Sequence, residues 1–108
     1  MKSEIEAILR THHTFYVAFS GGNFPTMEAC WAKDNPVLAI HPWGPVIVGR
    51  DDVMRSWKEV LRNPPNIQCT DEHVEQVDVF AIVTCLERAG EGILAATNIL
   101  VKENESWL

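Results

Sequence analysis

Residues 67–102 read IQCTDEHVEQVDVFAIVTCLERAGEGILAATNILVK, and this stretch decides the fold. Val, Ile, Thr and Phe dominate three runs, Ile67 to Val79, Phe80 to Glu87 and Ile93 to Lys102. Such residues suit a pleated, half-buried surface. Turns fall near Asp78 and at Arg88-Ala89-Gly90-Glu91-Gly92, so the runs predict consecutive antiparallel strands. Beyond them, Glu103-Asn104-Glu105-Ser106 has the composition of a hairpin turn. Trp107-Leu108 reads as the opening of a further, truncated strand, whose absence would expose a sheet edge to a partner subunit.

Upstream the period changes from two to about 3.6. Ser3-Glu4-Ile5-Glu6 matches a capping box. Ile5, Ile8, Leu9, His12, Phe15, Tyr16 and Phe19 then form one apolar stripe that carries an imidazole and a phenol. Ser20-Gly21-Gly22 ends this helix. A second helix is predicted over Thr26 to Ala32, broken by Lys33-Asp34-Asn35-Pro36. Val37 to His41 reads as a short buried strand, joined through the turn Pro42-Trp43-Gly44-Pro45 to Val46-Ile47-Val48 as a small hairpin. A third helix begins at Gly49-Arg50-Asp51-Asp52 with an acidic cap and buries Val53, Met54, Trp57, Val60 and Leu61. Asn63-Pro64-Pro65 stops it. The order is α+β, with three N-terminal helices on one side of a curling, mostly antiparallel sheet and a concave space between. The natural use of that space is a pocket for a small apolar or amphipathic molecule.

Composition narrows the classes further. The chain has 108 residues, 46% hydrophobic and 22% charged, enough for one domain and one core, here residues 1–108. Nine Lys and Arg against fifteen Asp and Glu give a net charge of −6, without a basic patch, which argues against nucleic acid as a partner. No apolar signal core or membrane-length run follows Met1, so a cytoplasmic protein that does not enter membranes is expected. Cys30, Cys69 and Cys85 are odd in number and widely spaced, as reduced core thiols are. No close ligand pair of the Cys-x-x-Cys or His-x-x-x-His type exists, and no Gly-rich phosphate loop, so neither a metal nor a cofactor is expected.

Several segments together resemble a known family: Phe15-Tyr16-Val17-Ala18-Phe19-Ser20-Gly21-Gly22-Asn23, Trp31-Ala32-Lys33-Asp34, His41-Pro42-Trp43-Gly44, Gly49-Arg50 and Ala96-Thr97-Asn98. In order and spacing the chain is similar to SnoaL-like members of the nuclear-transport-factor-2-like superfamily, which includes ketosteroid isomerase. The resemblance implies a cone-shaped fold. It does not choose a reaction, because the superfamily holds isomerases, cyclases, dehydratases, hydrolases and non-catalytic binders.

Ketosteroid isomerase carries an aspartate base in an Asp-Pro-x-Gly turn, and the matching turn here puts His41 at that position. His41 is either a general base or a strand-end residue bonded to the turn backbone. Tyr16 falls near the isomerase's helix tyrosine, and either donates to a developing oxyanion or closes the core. The isomerase's late-strand protonated aspartate corresponds to Thr97 and Asn98, neither acidic, which argues against steroid-type isomerisation itself. One of these two neighbours should face the pocket and the other should not. Trp31, Trp43 and Trp57 are core residues or flat pocket walls, with Trp31 and Trp43 the chosen walls. Glu87 shares a strand face with Val83 and Cys85. It is either an acid/base group on the concave side or an exposed strand-end carboxylate near Arg88. His12 goes with the apolar stripe toward the pocket, whereas His13 and His73 belong to solvent. Two classes follow: a pocket protein, either an acid/base enzyme using His41 and Tyr16 or a binder, and an oligomer-forming interaction module. A homodimer is expected in both.

Overall fold

The structure, a computed structural model, describes residues 4–108. Three helices, α1 (Ile5–Gly21), α2 (Phe24–Ala29) and α3 (Arg50–Val60), alternate with a small hairpin, β1 (Leu38–Ile40) and β2 (Val46–Val48). Strands β3 (Ile67–Val77), β4 (Phe80–Ala89), β5 (Gly92–Glu103) and β6 (Ser106–Trp107) follow and form one antiparallel sheet in that order. The result is the cone-shaped α+β arrangement, helices against a curved sheet. None of the described helices is long and apolar enough to cross a membrane.

The apolar stripe of α1 turns Ile8, His12 and Tyr16 inward, and all three are buried. Ser3, the expected capping residue, lies outside the described residues. Glu4 at the N-cap makes no side-chain cap bond. It pairs with Lys102 of β5 at 2.5 Å instead. At the other end Gly22 adopts φ 64°, and a Cβ there would stand 3.1 Å from Pro64 Cγ and 3.2 Å from the Leu61 carbonyl. Glycine is therefore needed twice over, for the left-handed turn and for the close approach of the α3 exit.

Three expectations about local structure are corrected. Helix α2 runs from Phe24 to Ala29 rather than Thr26 to Ala32, because Asn23 caps the Thr26 amide at 3.2 Å and Pro25 suits the first turn. The amides of Cys30 and Trp31 then bond back only three residues, to Met27 and Glu28, a tightening that closes the helix. Strand β1 is not a buried strand: Ala39 alone faces the core, and Leu38 and Ile40 are exposed. Helix α3 has Gly49 at its N-cap and no side-chain cap, although Asp51 and Asp52 occupy its first turn as the dipole favours. Arg50 reaches back to the carbonyls of Glu28, Trp31 and Ala32 at 2.8–3.0 Å, satisfying acceptors at the end of α2.

Two apolar clusters result. One joins α1, α2, α3 and the hairpin around Met27, Val53, Trp57 and Leu61; the other packs Ile8 against Ala81, Val83, Leu100 and Trp107. A carboxylate ties the last long strand to the loop after α2. Glu103, at the end of β5, is buried and accepts from the Lys33 amide (2.9 Å), the Asp34 amide (3.0 Å) and the Asn35 side chain (2.8 Å). These donors hold its carboxyl below the usual range, the Lys33 amide most strongly. The turn into β6 uses left-handed Asn104 (φ 48°) and Glu105 (φ 71°), the geometry a tight two-residue hairpin requires.

Candidate functional site

The site starts with an irregularity in β3. Thr70 pairs with Leu86 and His73 with Thr84, so Asp71 and Glu72 together oppose the single residue Cys85. This is a β-bulge, and Asp71 takes φ 58° to make it. Before the bulge Cys69 shares the inner face with Glu87; after it Val74 shares that face with Val83. The extra residue re-aims Glu72, which would otherwise point outward with Thr70, toward α1.

There it meets His12. The His12 ring is 2% exposed, and its Nδ1 lies 2.5 Å from Glu72 Oε2. A carboxylate only accepts, so Nδ1 carries the proton. In the neutral ring Nε2 is then an acceptor, and Asn98 Nδ2 donates to it at 2.9 Å. The second hydrogen of the same amide reaches the Tyr16 hydroxyl at 3.0 Å. Tyr16 in turn donates to Glu87 Oε2 at 2.6 Å, with Cys85 Sγ 3.4 Å from its oxygen. Glu72, His12, Asn98, Tyr16 and Glu87 therefore form one continuous chain of hydrogen bonds across α1, β3, β4 and β5. Each link sets the next, since Glu72 fixes the tautomer of His12 and His12 fixes the orientation of the Asn98 amide. Burial, then Cys85 and Glu87, push the Tyr16 phenol well above its ordinary pKa, so it stays a neutral donor. The Cys69 thiol is also pushed up, first by burial and then by neighbouring Cys85. Glu87, Asn98 and Cys69 are half-buried and Glu72 is exposed, so the chain borders solvent on that side.

The remaining expected residues lie elsewhere. His41 is half-buried, its Nε2 3.0 Å from Ser56 Oγ and its ring edge-on to Trp57 at 4.9 Å. Ser56 donates to the Val53 carbonyl at 2.6 Å and so accepts from His41. Burial lowers the His41 pKa. The structure does not bring His41 across from Tyr16, because Trp57 and Phe15, or Trp57 and Phe19, stand between them. Trp57 is 3% exposed, and its Nε1 has no hydrogen-bond partner among the described residues. Trp31 packs at 6.2–6.3 Å from Trp57 and Phe15. Trp43, expected as a wall, is fully exposed, in a turn where its φ is 66°. Asn98 faces inward, and neighbouring Thr97 is exposed. His13 and His73 are exposed. A shallow hollow lined by Val46, Ile47, Val48, Asp52, Arg55 and Ser56 lies on the hairpin side and includes none of the hydrogen-bonded chain.

Sequence reasoning missed Glu72 and the positions of Cys69 and Cys85 beside His12. The one available signal was the acidic pair Asp71-Glu72 inside an otherwise alternating strand, which breaks the period where the bulge forms.

Comparisons with known proteins agree with this architecture. A crystal structure of a proposed dehydratase of the NTF2-like family from Streptomyces avermitilis superposes with a TM-score of 0.83 at 25% identity, over 96% of this chain and 89% of that one. A proposed calcium/calmodulin-dependent protein kinase type II association domain from Thiobacillus denitrificans gives 0.73 at 24% identity, covering 90% and 84%. A ketosteroid isomerase-like protein from Erwinia carotovora atroseptica gives 0.71 at 18%, covering 99% and 91%. The search of curated proteins returns no match. The family model described as the SnoaL-like domain matches residues 8–108, from the second turn of α1 to the last residue, and the chain belongs to that family.

Proposed function

We propose that this protein is a proton-transfer enzyme for a small, largely apolar molecule carrying a carbonyl or hydroxyl group, of isomerase, cyclase, dehydratase or hydrolase type. The observation that carries the reading is the convergence of a neutral phenol, a carboxylate and an amide donor at a half-buried edge: Tyr16, Glu87 and Asn98. Glu87 takes or returns the proton at carbon or oxygen. Tyr16 turns its one hydrogen from Glu87 to the oxygen on which charge develops, while the Asn98 amide, donating to the phenol oxygen, holds it in place and strengthens it as a donor. Glu72 and His12 are positioning residues that hold the amide. The likeness to a proposed dehydratase at 25% identity is compatible with this chemistry.

Glu87 rather than His41 handles the proton, because two aromatic rings separate His41 from Tyr16. The test is exchange of α-carbon protons of cyclic ketones and enones in deuterated water, followed by NMR. Tyr16→Phe and Glu87→Gln should each slow exchange by roughly 10²-fold or more, and His41→Ala by only a few-fold. A large loss with His41→Ala alone would return the base role to His41. Saturable tryptophan fluorescence change without any exchange would leave the protein a binder.

A homodimer belongs to the same proposal. The outer sheet face exposes Val77, Phe80, Ile82 and Ile99, with Val77 opposite Phe80 and Ile82 opposite Ile99 in the register. A contiguous apolar stripe of this kind is suited to a second copy.

A further inference from the structure

Beside the hydrogen-bonded chain, three soft or borderline ligand atoms converge from three elements. His12 comes from α1, Cys69 from β3 and Cys85 from β4, and their donor atoms all lie within 4.8 Å of one another. His12 Nδ1 is 4.0 Å from Cys69 Sγ. Tetrahedral zinc, with Zn–S near 2.3 Å and Zn–N near 2.0 Å, separates a nitrogen and a sulfur ligand by about 3.5 Å and two sulfurs by about 3.8 Å. The three atoms are within side-chain adjustment of that geometry. A fourth ligand is at hand, because Glu72 Oε2 already sits on His12 Nδ1 at 2.5 Å. Its side chain is 30% exposed, which leaves an entry path from solvent.

We infer that His12, Cys69, Cys85 and Glu72 form a binding site for a divalent zinc-like ion. On binding, both thiols release their protons to solvent, the Nδ1 proton passes through solvent to Nε2 so that the ring stays neutral, and two Zn–S bonds, one Zn–N bond and one Zn–O bond form. No oxidant or reductant is involved. The metallated ring then carries its proton on Nε2, and the Asn98 amide turns over to accept it, the outer hydrogen bond that metal-ligating imidazoles regularly make.

A disulfide is the competing use of the two thiols, and the sheet register opposes it. Cys69 lies opposite Glu87, and Cys85 is two residues away on β4, so the cysteines are diagonal neighbours. Diagonal positions are about 7–8 Å apart between Cα atoms, beyond the usual disulfide span but easily bridged by a metal. No two of the histidine and cysteine ligands are close in sequence, which is why the spacing of cysteines and histidines alone shows no metal signature.

The inference goes beyond the proton-transfer reading and does not rest on it, since its readouts involve no organic substrate. The experiment titrates metal-free, thiol-reduced protein with Co(II) alone and follows the thiolate-to-cobalt charge-transfer band and the tetrahedral ligand-field bands. Displacement by Zn(II), in competition with a chromophoric chelator, gives the zinc affinity. The expected result is one equivalent bound with both bands. Cys69→Ser and Cys85→Ser, which preserve side-chain size, should each lower affinity by about 100-fold or more, at least the loss typical of an outer-shell change. Cys30→Ser, whose thiol lies outside the cluster, should bind as the parent does. Absence of a charge-transfer band overturns the site. Bands that survive in both Cys69→Ser and Cys85→Ser, or that vanish in Cys30→Ser, also overturn it.

Discussion

Replacing Tyr16 by Phe removes one oxygen and keeps the ring, so it isolates the central link of the hydrogen-bonded chain. Two strong bonds are lost, the one donated to Glu87 at 2.6 Å and the one accepted from Asn98 at 3.0 Å, with the weak contact to Cys85 Sγ at 3.4 Å. A bond to a charged acceptor contributes about 1.5–3 kcal/mol and a neutral one about 1 kcal/mol. Glu87 is half-buried, so water can replace part of the first, and the low end of its range applies. The expected loss is therefore about 2.5 kcal/mol. For a domain of this size that lowers the melting temperature by roughly 10 °C. The assay is urea unfolding of the parent, Tyr16→Phe, Glu87→Gln and the double variant. If the two side chains act through their shared bond, the double variant loses less than the sum of the singles, with a coupling of about 1 kcal/mol or more. Strict additivity within about 0.3 kcal/mol, or a Tyr16→Phe variant as stable as the parent, would refute the continuous chain of bonds.

Three further perturbations probe other parts of the molecule. Glu103 has its carboxyl pKa depressed by amide donors, so its stabilising contribution is present above its ordinary value of 4.5 and is lost as pH falls through its lower folded value. Glu103→Gln should flatten that acid limb of the stability curve in pH-dependent unfolding. His41 has its pKa lowered by burial, so the unfolded chain binds its proton more readily and stability declines as pH falls below 6.5. His41→Asn should remove this slope, and an unchanged slope would place it on another group. Ile82→Lys, on the exposed outer face of β4, should convert a dimer to monomers in light scattering, whereas a parent protein that is already monomeric at micromolar concentration removes the dimer proposal.

Much of the architecture was legible because the apolar period of each segment matches its element. The α1 stripe is read from spacing alone, and so are the buried positions Val53, Met54, Trp57 and Leu61 of α3. The site was less legible, for two physical reasons. First, a strict alternation from Cys69 turns Asp71 and His73 inward, and only the bulge puts Glu72 there instead. Second, contacts such as His12 with Glu72 and Asn98 join residues 60 and 86 positions apart, and no local pattern encodes them. Trp43 differs: an aromatic residue in a turn suggests a wall, but this one is fully exposed, and its exposure follows from the path of the turn, which composition does not give.

The clasp between α1 and the final strands also bears on how the chain reaches this fold. Glu4 bonds Lys102, Thr11 bonds the Trp107 carbonyl and Glu103 bonds the Lys33-Asp34-Asn35 turn, with separations of 98, 96 and 68–70 residues. Contacts this distant in sequence carry a loop-closure cost before they return any stabilisation, and they slow folding. During synthesis α1 can coil early, but its buried face has no sheet to meet until β4 and β5 have left the ribosome. Ile8, whose partners Ala81, Val83, Leu100 and Trp107 come last, is then exposed for most of translation, a window in which aggregation competes with folding.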